Sequence, residues 1–337
     1  MSQAAVVLES APAALLLLEE ELAACAALPD IEREHWERVL GDPLRDFLSR
    51  PGKEFRGELV CASFRLGGGA GEPPRELPLI VELLHAGSLI VDDIEDASLV
   101  RRGGPALHIN HGVPKALNAG NWLYFWPQRL LERLALAPEV ELLLHRAIGE
   151  ALLRSHYGQA LDLGTRLSQL PQAEVASVVA AATQLKTASL FELAATLGAA
   201  AAGASPKRRR ALAHFAGDLG NALQMLDDLS GVVGNRPAKG REDLLLDRPT
   251  WPWAWLARDL DAERYGELRG LVRDVIAGAL DPEALLERLA NAVGLRGRRF
   301  AHFRLHGALE TLRAEVGSDP ALGELLLEIQ RLEACHG

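Results

Sequence analysis

The chain has 337 residues, 48% of them hydrophobic, and this is enough to bury a large core. Its formal net charge of −10 at pH 7 argues against nucleic acid as a partner. Three cysteines without paired or metal-like spacing predict a reducing compartment and no disulfide. The longest apolar run near the start, residues 11–18, is too short to cross a bilayer, and no Lys or Arg precedes Arg33. We therefore expect a cytoplasmic protein that is not an integral membrane protein.

Apolar residues recur at helical spacing along most of the chain, and much of this content is alanine and leucine, which favour helices. The spacing predicts helices over about residues 9–28, 31–48, 77–99, 113–135, 138–163 and 171–201. Later helices are predicted to begin at Ser205–Pro206, Asp281–Pro282 and Asp319–Pro320. No internal repeat, β-alternation or Gly/Ser/Pro-rich linker divides the chain, so we expect an all-α fold in a single domain, residues 1–337.

An acidic cluster, Asp92, Asp93 and Asp96, lies inside one apolar helical stretch. Residues i and i+4 share a helix face, so Asp92 and Asp96 stack, with Asp93 about 100° round the same side. Because like charges at this spacing destabilise a helix, the cluster predicts a bound cation. Carboxylates favour hard divalent cations, especially Mg²⁺ where phosphates share the coordination. Arg101 and Arg102 follow the cluster and suit bidentate phosphate contacts.

A second acidic pair, Asp227 and Asp228, lies in another apolar helical stretch. A single acidic pair is most often a solvated helix face. Two such clusters facing each other across a helical bundle can hold several Mg²⁺ ions, and these ions can hold a diphosphate. The two clusters and the double arginine together therefore favour a metal and diphosphate site over two solvated faces.

Further cations fit an anion site. Lys53 and Arg56 follow Pro51 and Gly52 at the start of a predicted helix, where backbone N–H groups also attract phosphate. The alternative is a solvated pair. Lys186 lies in the middle of a mainly apolar helix, where snorkelling towards solvent is the alternative to a role in ligand binding.

Two segments resemble a known family. LLHAGSLIVDDIEDASLVRRGGPALH, from Leu83 to His108, resembles the first aspartate-rich region of the trans-isoprenyl diphosphate synthases, the polyprenyl synthetase family, and LQMLDD, from Leu223 to Asp228, resembles the second. Weaker similarity runs from Gly52 to Trp251. The resemblance implies an isoprenoid synthase fold, a large helical bundle around a deep central cavity. It also implies a homodimer and three Mg²⁺ ions with bound diphosphate.

The resemblance assigns roles residue by residue. The metal ligands it implies are Asp92, Asp96, Asp227 and Asp228, and the wider catalytic set adds Asp93 and Lys186. The residues it implies for isopentenyl diphosphate are Lys53, Arg56, His85 and Arg102. Those it implies for the allylic diphosphate are Arg101, Lys186, Thr187, Gln224, Lys239 and Arg248. Gln159 and Asp162 match a family element beside the metals.

The sequence departs from the family pattern at four positions. Gly231 stands where the family has the third aspartate of its second motif, and Asn121 stands at a usual aspartate position. Glu54 replaces a basic or neutral residue, and Gly57 replaces a frequent proline. The segment after Gly234 resembles the flexible loop that closes over the diphosphates.

The resemblance implies a Mg²⁺-dependent prenyltransferase that condenses isopentenyl diphosphate with an allylic diphosphate. A class I terpene cyclase would use the same metals without a second diphosphate site, and Lys53, Arg56 and Arg102 argue against it. A non-catalytic partner subunit would explain Gly231 and Asn121, but the intact first cluster argues against it.

Product length is predicted from Gly87 and Ser88, which lie about one turn before Asp92. In the resembled family, aromatic residues there close the tunnel for the growing chain, whereas small residues leave it open. We therefore expect geranylgeranyl diphosphate or a longer product. The alternative is that these small residues only allow close helix packing, with Trp122 or Tyr124 forming a floor.

Overall fold

The computed structural model describes residues 10–26, 33–234, 236–317 and 319–335, and this part of the chain is almost entirely helical, as predicted. The helices are α1 (Ser10–Ala26), α2 (Arg33–Trp36), α3 (Asp42–Leu48), α4 (Phe55–Leu66), α5 (Glu76–Glu95), α6 (Leu107–His111), α7 (Val113–Glu132), α8 (Pro138–Gly164), α9 (Gln172–Ala182), α10 (Ser189–Ala201), α11 (Pro206–Val233), α12 (Pro237–Leu245), α13 (Trp251–Asp259), α14 (Ala262–Ile276), α15 (Pro282–Val293), α16 (Arg296–Val316) and α17 (Pro320–Cys335). A short 3₁₀ segment spans Leu167–Gln169.

Two long predicted helices contain π-helical segments. Glu37–Gly41 joins α2 to α3, and Thr183–Ala188 joins α9 to α10, so residues 33–48 and 172–201 are each continuous helices. The predictions over residues 9–28 and 31–48 match α1 and α2–α3, except that residues 9, 27, 28, 31 and 32 lie outside the described part. A π-helical turn re-aims the side chains that follow it, and such turns are frequent at functional sites.

The helix predicted over residues 77–99 ends earlier, at Glu95. Ala97 adopts a left-handed backbone (φ 52°), which no regular helix continues. The expected turn after it is a small hairpin, in which β1 (Val100–Arg101) pairs antiparallel with β2 (Gly104–Pro105). Arg102 and Gly103 both have positive φ, as in the tight type I′ turns that connect such strands.

The segment predicted as a flexible loop after Gly234 contains a helix, α12, and this corrects the prediction. Pro237 begins α12, a position where proline costs no hydrogen bond. Apolar contacts from Gly240 and Leu244, both buried, hold α12 against the bundle. Local loop composition does not report such packing, so only tertiary contacts decide this element.

The buried side chains form two apolar clusters that meet along α11. Leu219 and Leu223 of α11 pack with α4, α5, α7 and α10 in the larger cluster. Met225 and Leu229, one or two turns later, pack with α9, α13, α14 and α15 in the smaller cluster. The second aspartate pair of α11 therefore lies where the two clusters meet.

The helix starts predicted from Ser205 and Asp281 are confirmed, because each side chain accepts a backbone N–H of the first turn. Cys61 is a free thiol, and the side chains of Cys25 and Cys335 lie outside the described part. Each helix in the described ranges is too short or too polar to cross a bilayer.

Candidate active site

The first aspartate cluster lies where α5 ends. Asp92, in the last turn, accepts hydrogen bonds from Lys186 Nζ (3.0 Å) and Gln159 Nε2 (2.7 Å). Asp96 follows the last helical residue and forms an ion pair with Arg248. Residues between 67 and 152 positions away in the sequence thus converge on two carboxylates that helical spacing had placed on one face.

Asp93 has a different environment from its two neighbours. Its side chain is fully buried, and its Oδ1 accepts Arg101 Nε at 2.8 Å. Burial raises the pKa of Asp93, although the Arg101 guanidinium opposes this. The other oxygen, Oδ2, is buried without a hydrogen-bond partner in the described part of the chain. Asp93 therefore holds the hairpin arginine, and its predicted catalytic role stays a prediction.

Lys186 lies in the π-helical segment between α9 and α10. Its Nζ donates hydrogen bonds to Asp162 Oδ2 (2.6 Å) and to Asp92. Burial alone would lower the pKa of Lys186, but the charges of Asp92 and Asp162 outweigh it and raise that pKa. A Cβ on Gly158 would overlap the Lys186 backbone, so only glycine lets α8 approach here. Lys186 is thus a fixed cation inside the site and does not snorkel away from it.

The second aspartate pair divides in the same way as the first. Asp227 is partly exposed and forms ion pairs with Arg236 and with Lys239 (3.5 Å). Asp228 is buried, and its oxygens accept Gln224 Nε2 (2.8 Å) and the backbone N–H of Trp251 (3.1 Å). Asp228 therefore anchors the start of α13, and its predicted metal role stays a prediction.

Gly231, the clearest departure from the family motif, lies at a close helix contact. A Cβ at Gly231 would stand 2.9 Å from the backbone nitrogen of Gly240 and 3.1 Å from its Cα. A carboxylate side chain at 231 would therefore displace α12. Glycine at position 231, in place of aspartate, allows α12 to pack on α11. This packing places Lys239 beside the second cluster.

A chain of ion pairs connects the two aspartate clusters. Arg248 pairs with Asp96 and, at 3.8 Å, with Asp243. Lys239 pairs with Asp243 (3.2 Å) and with Asp228 (3.3 Å). Burial raises the pKa of Asp243 to about 6, while Lys239 and Arg248 oppose that rise. The family resemblance predicted a role for Lys239 and for Arg248. It did not predict Arg236, because Arg236 belongs to no recognised motif.

A second group of cations lies on α4, α5 and the hairpin. The Arg56 guanidinium stacks over Phe191 (4.7 Å), and that of Arg102 stacks over Phe47 (4.9 Å). Burial lowers the pKa of half-buried His85 well below its usual value, and Arg56 and Arg102 add to this, so the imidazole is neutral at pH 7. Arg56 Nε is buried and has no hydrogen-bond partner in the described ranges. This group therefore offers a set of donors that an anion would complete.

Of the other three departures from the family pattern, the one at Gly57 has a local structural reason. Glu54 has a left-handed backbone (φ 48°) just before α4, and the neighbouring Lys53 is exposed. Gly57 donates its backbone N–H to Glu82 Oε1 at 2.8 Å, which proline could not do. Asn121 is exposed on α7.

The remaining predicted residues lie on the inner faces of their helices. Thr187 Oγ1 donates to Gln224 Oε1 at 3.0 Å, so this pair connects the π-helical segment to α11. Gly87 lies against α7, since a Cβ there would be 2.8 Å from the Gly120 carbonyl oxygen. Half-buried Ser88 donates to the His85 carbonyl. Glycine at position 87 thus allows α5 to pack closely against α7. Of the two small residues, Ser88 is therefore the better candidate for a position that determines product length.

The donor set fits Mg²⁺ by its chemistry, because Asp92, Asp96 and Asp227 present carboxylate oxygens beside an anion-binding group of cations. Within the described residues, no three His, Cys, Asp or Glu side chains converge closely enough to hold an ion.

Comparison with known proteins shows which family the chain resembles. The family model described as polyprenyl synthetase matches residues 37–276. A geranylgeranyl pyrophosphate synthase of Aspergillus fumigatus is 35% identical over 161 residues, 48% of this chain and 43% of that protein. One from Macrophomina phaseolina is 32% identical over 219 residues, 64% of each chain. The chain thus spans less than two thirds of the length of these curated relatives.

A solved structure has the same fold. The geranylgeranyl pyrophosphate synthase from Corynebacterium glutamicum, complexed with isoprenyl diphosphate and magnesium, superposes with a TM-score of 0.77 at 23% identity. The alignment covers 97% of this chain and 99% of that one. The isoprenoid synthase fold expected from the sequence is therefore confirmed.

Proposed function

Because the chain belongs to the polyprenyl synthetase family, we propose that it is a Mg²⁺-dependent trans-prenyltransferase that joins isopentenyl diphosphate to an allylic diphosphate. One observation carries the proposal. A continuous set of ion pairs, through Arg248, Asp243 and Lys239, connects the aspartates of α5 to those of α11. Two acidic helix segments are thus held together with fixed cations, as ionisation of a diphosphate ester requires.

Metal ions, bound by Asp92, Asp96 and Asp227, would neutralise the diphosphate and improve it as a leaving group. The bound structure of the Corynebacterium glutamicum protein, with magnesium and isoprenyl diphosphate, supports this choice of ion. We propose three ions. Lys186, Arg101 and Lys239 then lose some of their contacts to aspartate and turn towards the diphosphate oxygens, where negative charge develops.

The reaction begins when the allylic C–O bond breaks and its electron pair leaves with the diphosphate. The double bond of isopentenyl diphosphate then attacks the allylic cation, and a new C–C bond forms. The resulting cation loses a proton to the released diphosphate. Arg56, Arg102 and neutral His85 hold the second diphosphate, with Lys53 at the exposed edge of the same group. The apolar cluster below the aspartates keeps water from the cation.

We propose geranylgeranyl diphosphate or a longer chain as the product. The names of the relatives from Aspergillus fumigatus and Macrophomina phaseolina support this length. Ser88 supports it as well, because a small side chain one turn before Asp92 leaves room beside α5. Burial raises the pKa of Tyr124 of α7, and the nearby charges of Glu95 and Asp92 add to this rise, so Tyr124 borders the same space.

We also propose a homodimer located in the cytoplasm. α7 and α8 expose apolar side chains side by side, with Phe125 72%, Tyr157 64% and Leu153 59% accessible. Exposed aromatic and leucine side chains on two adjacent helices are typical of a subunit interface. The cysteine pattern supports the cytoplasmic location.

The decisive experiment supplies purified protein with Mg²⁺, labelled isopentenyl diphosphate and each allylic primer, and measures product length. We expect an elongated prenyl diphosphate. A terpene cyclase would instead convert an allylic diphosphate alone into a hydrocarbon or alcohol, and that result would replace this proposal. No turnover with any primer would favour a non-catalytic partner subunit.

A further inference from the structure

The hairpin after α5 presents two arginines from one strained turn. Arg101 lies in β1, and Arg102 occupies the first central position of the turn with φ 51°. A left-handed backbone is unfavourable for a residue with a Cβ, so surrounding contacts must hold this turn. The two guanidinium groups point in different directions. That of Arg101 binds Asp93, and that of Arg102 stacks on the face of Phe47. Whatever holds the turn therefore sets both arginines.

Arg50, just after α3, makes the contacts that hold it. Its Nη1 donates to the backbone carbonyl of Arg101 (3.1 Å) and to that of Pro105 (2.6 Å), one on each strand. Its own carbonyl accepts Arg102 Nη1 at 3.4 Å. Its guanidinium packs flat on Gly104, where a Cβ would stand 3.3 Å from Arg50 Cζ. Arg50 thus contacts both strands and both arginines.

Arg50 is itself fixed from behind. Its Nη2 and Nε donate to Asp46 Oδ1 at 2.7 and 3.1 Å. The second oxygen of Asp46 accepts His111 Nε2 (2.9 Å) and Asn110 Nδ2 (3.2 Å) from α6. The Arg50 side chain is only 11% exposed. Both fork edges of the guanidinium are therefore used, one on a carboxylate and one on the hairpin.

We propose that Arg50, held by Asp46 and His111, is a positioning residue that orients the hairpin so that Arg101 and Arg102 reach two different diphosphates together. This inference rests on the proposed function. Arg50 acts through the hairpin, since its side chain donates to Asp46 and to the carbonyls of Arg101 and Pro105, and its own carbonyl accepts Arg102.

This role has a kinetic signature that the direct ligands lack. Arg56 belongs to the isopentenyl group and Lys186 to the allylic group, so replacing either should raise one KM selectively. Loss of Arg50 loosens the turn that carries both arginines, so both KM values should rise together. A residue that only stabilised the fold would lower the amount of active enzyme and leave both KM values unchanged.

The test compares Arg50→Gln, Arg50→Lys and Asp46→Asn with the wild type. Arg50→Gln should raise both KM values about fivefold or more, because each carbonyl loses a charge-assisted donor. Arg50→Lys keeps the positive charge but lacks the forked guanidinium, and Asp46→Asn keeps the guanidinium but removes the carboxylate that anchors it. The KM values of both variants should therefore lie between those of the wild type and those of Arg50→Gln. Amide hydrogen exchange over residues 99–106, measured without substrate, should quicken in the same order.

Arg45→Gln is the matched control. Arg45 lies on α3, one turn or more before Arg50, and binds Glu19 (2.6 Å) and Asp42 (3.3 Å) away from the hairpin, so both KM values and hairpin exchange should stay at the wild-type level. If Arg50→Gln raises neither KM, raises only one, or leaves hairpin exchange unchanged, the proposal is overturned. If Arg50→Gln does not fold, Arg50→Lys and Asp46→Asn decide by the same criteria. If the wild type shows no prenyl transfer, the proposed function fails, while hairpin exchange still decides whether Arg50 holds the turn.

Discussion

Individual carboxylates of one motif have different tasks. Asp92, Asp96 and Asp227 are partly exposed to the site and pair with its cations, whereas Asp93 and Asp228 are buried and also hold the hairpin through Arg101 and the start of α13. Charge counting alone would treat all five as equivalent. The difference follows from the rotation of about 100° between neighbouring helix residues, because each residue of a pair then meets a different part of the protein.

Asp92→Asn and Asp227→Asn should each lower the rate of prenyl transfer by roughly 10²–10³-fold, because each removes a carboxylate ligand of the Mg²⁺ that would neutralise the diphosphate. Circular dichroism and the melting temperature should stay close to the wild type. Asp218→Asn, which changes an aspartate of α11 bound to Arg304 on the outer side, serves as the control and should keep full activity. Excess chelator should abolish turnover reversibly, and full activity in chelator would refute the metal mechanism.

His85 predicts a dependence of stability on pH. Its folded-state pKa lies well below 6.5 because of burial and the nearby arginines, so the unfolded chain takes up a proton that the folded chain does not. This contribution is complete above about pH 6.5 and is lost as the pH falls, by up to about 1.4 kcal/mol per pH unit. Urea unfolding of wild type and His85→Gln at pH 7.5 and 5.5 measures it. The wild type should lose more stability than the variant, and equal losses would contradict the assignment.

At the scale of secondary structure, α12 is the helix that the sequence analysis expected to be a flexible loop. Its helix is short, and Gly240 lies in its middle, so its stability comes from packing on α11. The Gly231–Gly240 contact provides that packing and explains the missing aspartate in physical terms. The charged residues of α12 then lie beside the second cluster without any sequence motif that marks them.

Gly231→Ala should displace α12, because the added Cβ stands within 3.1 Å of the Gly240 backbone, which cannot yield as a side chain does. The expected destabilisation is about 1–3 kcal/mol, together with faster amide exchange over residues 236–248 and lower activity. Gly149→Ala is the control, since open space surrounds Gly149 on α8. Its stability should be unchanged or slightly higher. Unchanged exchange over residues 236–248 in Gly231→Ala would show that the contact does not hold α12.

Ser88 tests the path of the growing chain along α5. Ser88→Phe should shorten the product by at least one isoprene unit, because the ring would fill the space one turn below Asp92. Chromatography of the dephosphorylated products measures the length distribution. Ala86→Val is a useful comparison, since Ala86 is buried on the same helix and packs in the larger cluster. An unchanged distribution in an active Ser88→Phe variant would place the chain elsewhere.

At the scale of the whole molecule, two apolar clusters share α11, and the site lies at their junction. Trp251, Trp253 and Trp255 fill the smaller cluster and bury the start of α13 beside Asp228. Rigid packing on both sides keeps the second aspartate pair in place, and the hairpin and α12 supply the cations around it.

The exposed apolar face of α7 and α8 predicts how the subunits associate. Phe125→Glu places a charge in the proposed interface, where an unpaired charge is costly, and should shift the protein from dimer towards monomer at micromolar concentration. Light scattering after size-exclusion chromatography measures the mass. Phe303→Glu, at an equally exposed phenylalanine of α16, is the control and should leave the mass unchanged. A wild type that is already monomeric would overturn the dimer proposal.

The sequence alone determined the all-α fold, most helix positions and the two aspartate clusters, because helical periodicity and charge spacing are local properties that each segment carries by itself. Its resemblance also led to Lys186, Arg248 and Lys239, which the structure brings together with those clusters. Only the tertiary structure decided that Asp93 and Asp228 turn inwards, that α12 is a helix and that Arg236 and Arg50 matter. These features depend on contacts between residues far apart in the chain, and no local pattern specifies which partner a buried charge or a glycine will meet.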